Sequence, residues 1–254
     1  MFHIFVFILG LCIGSFVNCL VWRLNQKKTI LGRSICPQCK KKINWYDNIP
    51  LVSFIILWGK CRHCKEKISF QYPLAELATG ILFILAILNI GYPVFSSQYL
   101  ILALRDLLFI SVLVIIFIYD LRWYLILDII TVPAIALALF FNIYLGFGWR
   151  NLFLATVVGG GFFLAQYIIS QGRWIGGGDI RLGALMGMML GWPQILVALM
   201  LAYIIGSVVG IGLLISNKKK MSSQIPFGTF LSIATLIALL WGEKILDWYL
   251  GLII

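Results

Sequence analysis

Two groups of side chains in this sequence have the types and spacing to do chemistry. The first is a pair of C-x2-C knuckles, Cys36-Pro37-Gln38-Cys39 and Cys61-Arg62-His63-Cys64, with 21 residues between them. Each knuckle presents two thiolates from a tight turn, and two knuckles complete a tetrahedral four-sulfur shell. Zinc suits thiolates, does no redox chemistry and stabilises a small fold outright; iron is the competing metal. Two disulfides are the alternative pairing, which a reducing compartment disfavours. Four sulfurs leave no open coordination position, so a metal held here is structural. The second group is Asp120, Asp128 and Asp179, the last directly behind Gly176-Gly177-Gly178. Two carboxylates a few ångström apart cannot both ionise readily, so they share a proton. One then acts as base on a water while the other, protonated, polarises a scissile carbonyl. That chemistry needs neither a metal nor a nucleophilic Ser or Cys. Each acid also has a plain structural role: Asp179 as the N-cap of a helix after a Gly turn, Asp120 as a partner for Arg122. The glycines equally suit the close approach of another backbone, such as an extended peptide.

A membrane-embedded helical frame must position these groups. Apolar residues make up 62% of the 254 and charged residues 11%, with a mean hydropathy of +1.02. An ordinary soluble domain is ~45–50% apolar and ~25% charged. A soluble enzyme, a disordered chain and a fibrous protein are thereby excluded. Apolar runs long enough to cross ~30 Å of hydrocarbon fall at 4–22, 74–91, 99–119, 124–146, 151–170, 181–191, 194–216 and 226–250. The first has its basic residues after the run, so it reads as a retained span rather than a cleaved signal peptide. The expected architecture is an all-α polytopic membrane protein of about eight transmembrane helices. Its parts are a first helix (1–22), a small four-cysteine cytosolic segment (23–73) and a seven-helix membrane core (74–254). Eleven of the 20 Lys/Arg lie in 23–73, whose net charge is +9. Counting 182–216 as two spans puts 17 of the 20 on one side, which is the cytosolic side by the positive-inside bias, with both termini outside. The basic cluster Lys218-Lys219-Lys220 belongs to that side. The overall charge of +11 thus reports topology and anionic membrane lipids, not nucleic acid.

Topology sorts the remaining acids. Asp106 lies 14 residues before Asp120, about 21 Å away along a helix, and suits a pair with Arg105. Glu243 and Asp247 fall near the outer end of the last span. Glu76 follows Pro73 in what reads as the first turn of the second span, where a carboxylate favours the helix dipole. Asp120, Asp128 and Asp179 all reach the cytosolic boundary. No Ser/His pair competes, since His3 is outside and His63 is inside a knuckle. A transporter or channel binding a cation at these acids is the alternative from another class. A non-enzymatic assembly factor docking through its knuckles is a third.

Six motifs in order resemble the prepilin peptidases, or type IV leader peptidases, of the GxGD aspartic membrane proteases. They are Gly14-Ser15-Phe16-Val17-Asn18 with Trp22-Arg23-Leu24; the knuckles around Trp45-Tyr46-Asp47-Asn48-Ile49-Pro50-Leu51; Tyr72-Pro73-Leu74-x-Glu76; Tyr119-Asp120-Leu121 with Asp128; Gly176-Gly177-Gly178-Asp179-Ile180; and Ile225-Pro226-Phe227-Gly228. The resemblance implies removal of the basic leader of type IV prepilins and pseudopilins at the bacterial inner membrane. It also implies N-methylation of the new N-terminus with S-adenosylmethionine. Asp120 and Asp179 would be catalytic, Cys36, Cys39, Cys61 and Cys64 the zinc ligands, and Asp128, Gly176, Gly178, Glu76 and Asn18 supporting or substrate-binding. The methyl transfer rests on resemblance alone, because no G-x-G-x-x-G marks a soluble-type cofactor fold. Asp47, Glu66 or Glu76 is expected to receive the basic leader. Oligomeric state is not legible. Three positions depart from the family pattern: Leu127 stands where Pro is usual, Arg181 where Lys is common, and Thr229 where Pro is usual. None of the three is expected to touch the acid pair.

Overall fold

A computed structural model describes residues 1–91, 96–216 and 225–252. Lys218, Lys219 and Lys220 lie outside the described residues, and their side of the membrane stays an expectation. The described chain is helical, and its only β-pairings are two isolated bridges in the cysteine segment. Helices occupy all eight apolar runs. Six of them are long and apolar enough to cross a bilayer, which makes this a multi-pass membrane protein. The other two are shorter, at 17 and 14 residues. Large apolar side chains such as Phe5, Ile129, Phe140, Ile168 and Val208 are exposed on the helix surfaces, as a hydrocarbon solvent requires.

Two compact units are present, the first ending at Gly91. In it, α1 (Phe2–Asn25) pairs antiparallel with α3 (Gln71–Ile90). The helices meet backbone to backbone. A β-carbon on Gly10 would lie 2.7 Å from Gly80 Cα, and one on Gly14 would lie 2.7 Å from Glu76 Cα. Lipid tails offer no hydrophobic drive for helix pairing, so the close approach that small residues permit supplies the packing. Between α1 and α3 run a 3-10 turn (Trp45–Asn48), the short α2 (Val52–Ile56) and the two knuckles. α3 begins two residues before Pro73, a position where the missing N–H is not needed. Glu76 therefore sits beyond the first turn, where no acid is found.

The second unit comprises α4 (Ser97–Trp123), α5 (Asp128–Tyr144), α6 (Trp149–Ser170), α7 (Gly177–Leu190), α8 (Gln194–Ile215) and α9 (Phe227–Gly251). The short α7 is its axis, packed on α5, α6, α8 and α9, and its Leu182, Leu185 and Met186 are completely buried. Gly183 and Gly187 open its face to α6, so that a methyl on Gly187 would fall 2.2 Å from Ala155 O. Gly187→Ala must push two backbones apart. It should destabilise the protein by about 1–3 kcal/mol, read as a lower unfolding midpoint in detergent.

A helix of 14 residues inside a membrane leaves backbone groups that lipid cannot satisfy. Two asparagines answer this. Asn142 of α5 donates to Met188 O at 2.7 Å and to Met189 O at 3.3 Å. Asn151 of α6 accepts from Trp192 N–H and donates to Trp192 O, both at 2.8 Å. Asn142 also accepts from Arg105, which pairs with Asp106 at 2.8 Å in a buried cluster. The Arg105–Asp106 pair is the one their adjacency suggests.

Candidate active site

The first unit holds the cysteines. The four sulfurs all lie within 4.8 Å of one another, and those of Cys36 and Cys64 are 3.9 Å apart. Sulfurs on a tetrahedral metal with ~2.3 Å bonds stand ~3.8 Å apart, so the group fits such a cation. Both knuckles fold alike. Cys36 N–H donates to Lys41 O and Lys40 N–H to Cys36 O, just as Cys61 N–H donates to Glu66 O and Lys65 N–H to Cys61 O. Lys40 and Lys65 take the left-handed backbone that closes each turn. The Cys61 thiol is drawn down to about 7, chiefly by the backbone amide of Cys64. The Glu66 amide favours the Cys64 thiolate too, yet desolvation and the neighbouring thiols push Cys64 up to about 11. Sulfurs this crowded cannot all ionise alone, and a divalent cation removes the conflict.

Three polar side chains of the membrane helices tie this segment down. Arg23, buried at the end of α1, donates to Thr29, Ile30, Gly32 and Arg33 carbonyls. Asn18 donates to Tyr72 O at 3.1 Å. Glu76, also buried, accepts from Leu51 N–H at 2.9 Å. Asp47 is engaged by Arg62 at 2.7 Å. Of the three acids expected to meet a basic leader, only Glu66 is exposed.

The aspartates belong to the second unit. Asp120 lies in the last turn of α4 and is 4% exposed. α4 stops at Tyr124, which adopts the left-handed conformation and donates its N–H to Asp120 O. The Asp120 carboxylate reaches the N-terminus of α9, where Thr229 N–H donates to Oδ2 at 2.7 Å. Free amides at a helix start are natural seats for a carboxylate. Thr229 thus does touch the acid pair, against expectation, and a Pro there would lack the N–H. Asp179 occupies the third position of α7, not its N-cap. Gly176 is the cap, and its N–H donates back to Asp179 Oδ2 at 3.0 Å.

The backbone supports of Asp120 and Asp179 meet at one side chain. Ile126, in the α4–α5 link, packs between their supports: β-carbons on Gly178 and Gly228 would lie 2.9 Å from Ile126 Cβ and 3.0 Å from Ile126 Cδ1. Gly177 faces open space. Asp128, exposed at the start of α5, forms an ion pair with Arg181 of α7. The structure therefore packs the supports of Asp120 and Asp179 on one residue and gives Asp128 a different partner. Sequence reasoning quoted Gly228 as part of a motif without giving it a role, and passed over Ile126, Asn142 and Asn151. A lone Asn in an apolar run is a signal of the same kind as a lone acid.

A helical membrane frame with buried acids and a separate four-cysteine centre defines a narrow class of protein. Residues 8–90 match the family model described as Bacterial Peptidase A24 N-terminal domain, and residues 107–211 match that of the Type IV leader peptidase family. Curated relatives named Prepilin leader peptidase/N-methyltransferase are similar along most of the chain. That of Aeromonas salmonicida (strain A449) is 32% identical over 98% of this chain and 94% of its own. That of Legionella pneumophila is 30% identical over the same shares, 98% and 94%. That of Myxococcus xanthus (strain DK1622) is 35% identical over 85% of this chain and 64% of its own. No solved structure matches. The chain belongs to the type IV leader peptidase family.

Proposed function

We propose that this protein is an aspartic endopeptidase that removes the leader of type IV prepilins and pseudopilins at the cytosolic face of the bacterial inner membrane. It then N-methylates the residue it exposes. The observation that carries the peptidase reading is that Asp120 and Asp179 are each held by a backbone amide at a helix start, with their supports packed on the same side chain, Ile126. The pair shares one proton. The ionised member removes a proton from a water as it attacks the scissile carbonyl carbon, and the protonated member donates to the carbonyl oxygen. Open space beside Gly177 suits an extended substrate backbone, and Asp128 with Arg181 flanks the approach. Zinc, rather than iron, is the metal that Cys36, Cys39, Cys61 and Cys64 would hold, as a staple for residues 23–73 lying against anionic lipid. S-adenosylmethionine would supply the methyl group, an assignment taken from the family resemblance.

Mass spectrometry of a co-expressed pilin precursor tests both activities. Loss of the leader with an added methyl on the new N-terminus is expected. An uncut precursor would sink the peptidase reading, and a cut but unmethylated product only the second activity.

Two glycine substitutions separate support from tolerance. A methyl on Gly228 would lie 2.9 Å from Asp120 Cγ and must displace the carboxylate. Misplacement on this scale can cost about 10²-fold in rate, so Gly228→Ala should cut leader cleavage by up to that factor. Gly177→Ala meets nothing within 4 Å and should leave the fold intact. Comparing initial cleavage rates in proteoliposomes reads the contrast.

A further inference from the structure

The short helix α2 wears its apolar stripe on the outside. Val52, Ile55 and Ile56 recur at the spacing of one helical face, and all three are exposed, Ile55 at 71%. Trp58, just past the helix end, is 88% exposed. On the opposite face the half-buried Phe54 stacks edge-on against Phe70 with ring centres 5.8 Å apart. Leu51 and Trp58, at the two ends, both hold left-handed backbone, with φ of 59° and 52°. Glycine takes that conformation freely, whereas Leu and Trp are strained in it. A helix facing water would gain nothing from large apolar residues at either place.

The depth of α2 accounts for this arrangement. Its first N–H groups start at Leu51, whose own N–H is bonded to Glu76 of α3. α3 has 20 residues, which rise about 30 Å, the thickness of the hydrocarbon core. Gln71 therefore lies at the boundary of that core with Glu76 about 7.5 Å along the helix from it, and the Glu76 bond draws the start of α2 to that level. Lys27 and Lys28 at the foot of α1, and Lys60 two residues beyond Trp58, are exposed. Exposed apolar residues in a strongly basic segment at the edge of the membrane make an interfacial binding surface.

We propose that α2 and Trp58 form a membrane-interface anchor that seats on anionic phospholipid of the bilayer that α1 and α3 cross. The segment carrying the four cysteines is then a surface-bound module held at three places: by Arg23, by Glu76 and by lipid. This is independent of the peptidase reading, since it needs only the membrane helices and the geometry of the first unit.

The test compares tryptophan emission of the full-length protein with that of Trp58→Phe, both in vesicles of phosphatidylcholine and phosphatidylglycerol. Equal metal content in the two proteins establishes that the variant is folded. The difference spectrum, which is Trp58 alone, should be blue-shifted, insensitive to iodide and quenched by lipids brominated in their acyl chains. Brominated phosphatidylglycerol should quench it about twofold or more better than brominated phosphatidylcholine at equal content. Emission at the wavelength of water-exposed tryptophan with full iodide quenching would overturn the anchor. So would shielding from both iodide and bromolipid, which would mean that protein covers this face. Equal quenching by the two lipids would overturn the anionic preference. A second variant, Ile55→Ser with Ile56→Ser, should restore iodide access to Trp58; unchanged quenching there would also count against the anchor.

Discussion

Asp120→Asn and Asp179→Asn should each stop leader cleavage, with losses of about 10³-fold or more. An amide can neither accept the proton of the attacking water nor share a proton with its neighbour, and general acid–base groups commonly supply ~10²–10⁴-fold. The isosteric change spares the fold. At Asp120 the amide oxygen can still accept from Thr229 N–H, and at Asp179 it can still accept from Gly176 N–H. Asp128→Asn serves as the comparison, because Asp128 is committed to Arg181 on the surface and should keep most of the activity. Initial rates on a purified precursor in liposomes, with unfolding midpoints measured alongside, decide the matter. Near-normal cleavage by both single variants would remove the acid pair from the mechanism.

Loss of the metal should have the second largest effect, and on a different property. Structural zinc contributes an apparent ~10–16 kcal/mol in small zinc-binding peptides, and residues 26–70 have few buried side chains of their own, Cys36 among them. Cys36→Ser with Cys64→Ser should empty the centre and expose this stretch to proteases, while α4 to α9 stay resistant. Limited proteolysis with metal analysis would show it. Arg23 still holds residues 29–33 and Glu76 still holds Leu51, so cleavage sites should concentrate in the two knuckles, between Ile35 and Lys42 and between Lys60 and Ile68. A segment that remains resistant without metal would contradict a stapling role.

The parts of this molecule that were legible beforehand are those written locally. Each knuckle is a four-residue unit whose turn is built within six residues, and the eight helices follow from runs of apolar side chains. The pairing of Arg105 with Asp106 needs only adjacency. Contacts that depend on assembly were not legible. Thr229 reaches Asp120 across 109 residues, and Leu51 meets Glu76 across 25; hydropathy carries no information on either. Reading Thr229 by size alone missed that its backbone, not its side chain, holds the acid. The start of α3 was misjudged because Pro73 was taken as a beginning, although Pro is tolerated anywhere in the first turn.

The brevity of α7 has a consequence for the solvent. Its 14 residues rise about 21 Å, roughly 9 Å short of a ~30 Å hydrocarbon slab. With its far end tied by Asn142 and Asn151, the helix cannot slide to share that shortfall between the leaflets. Since α5, α6, α8 and α9 surround it, the shortfall is taken up inside the protein, at the Asp179 end. A hydrolase buried among lipids has to import its co-substrate, and a recess at that end, where Gly177 faces open space, would let bulk water wet the aspartates without a pore across the membrane.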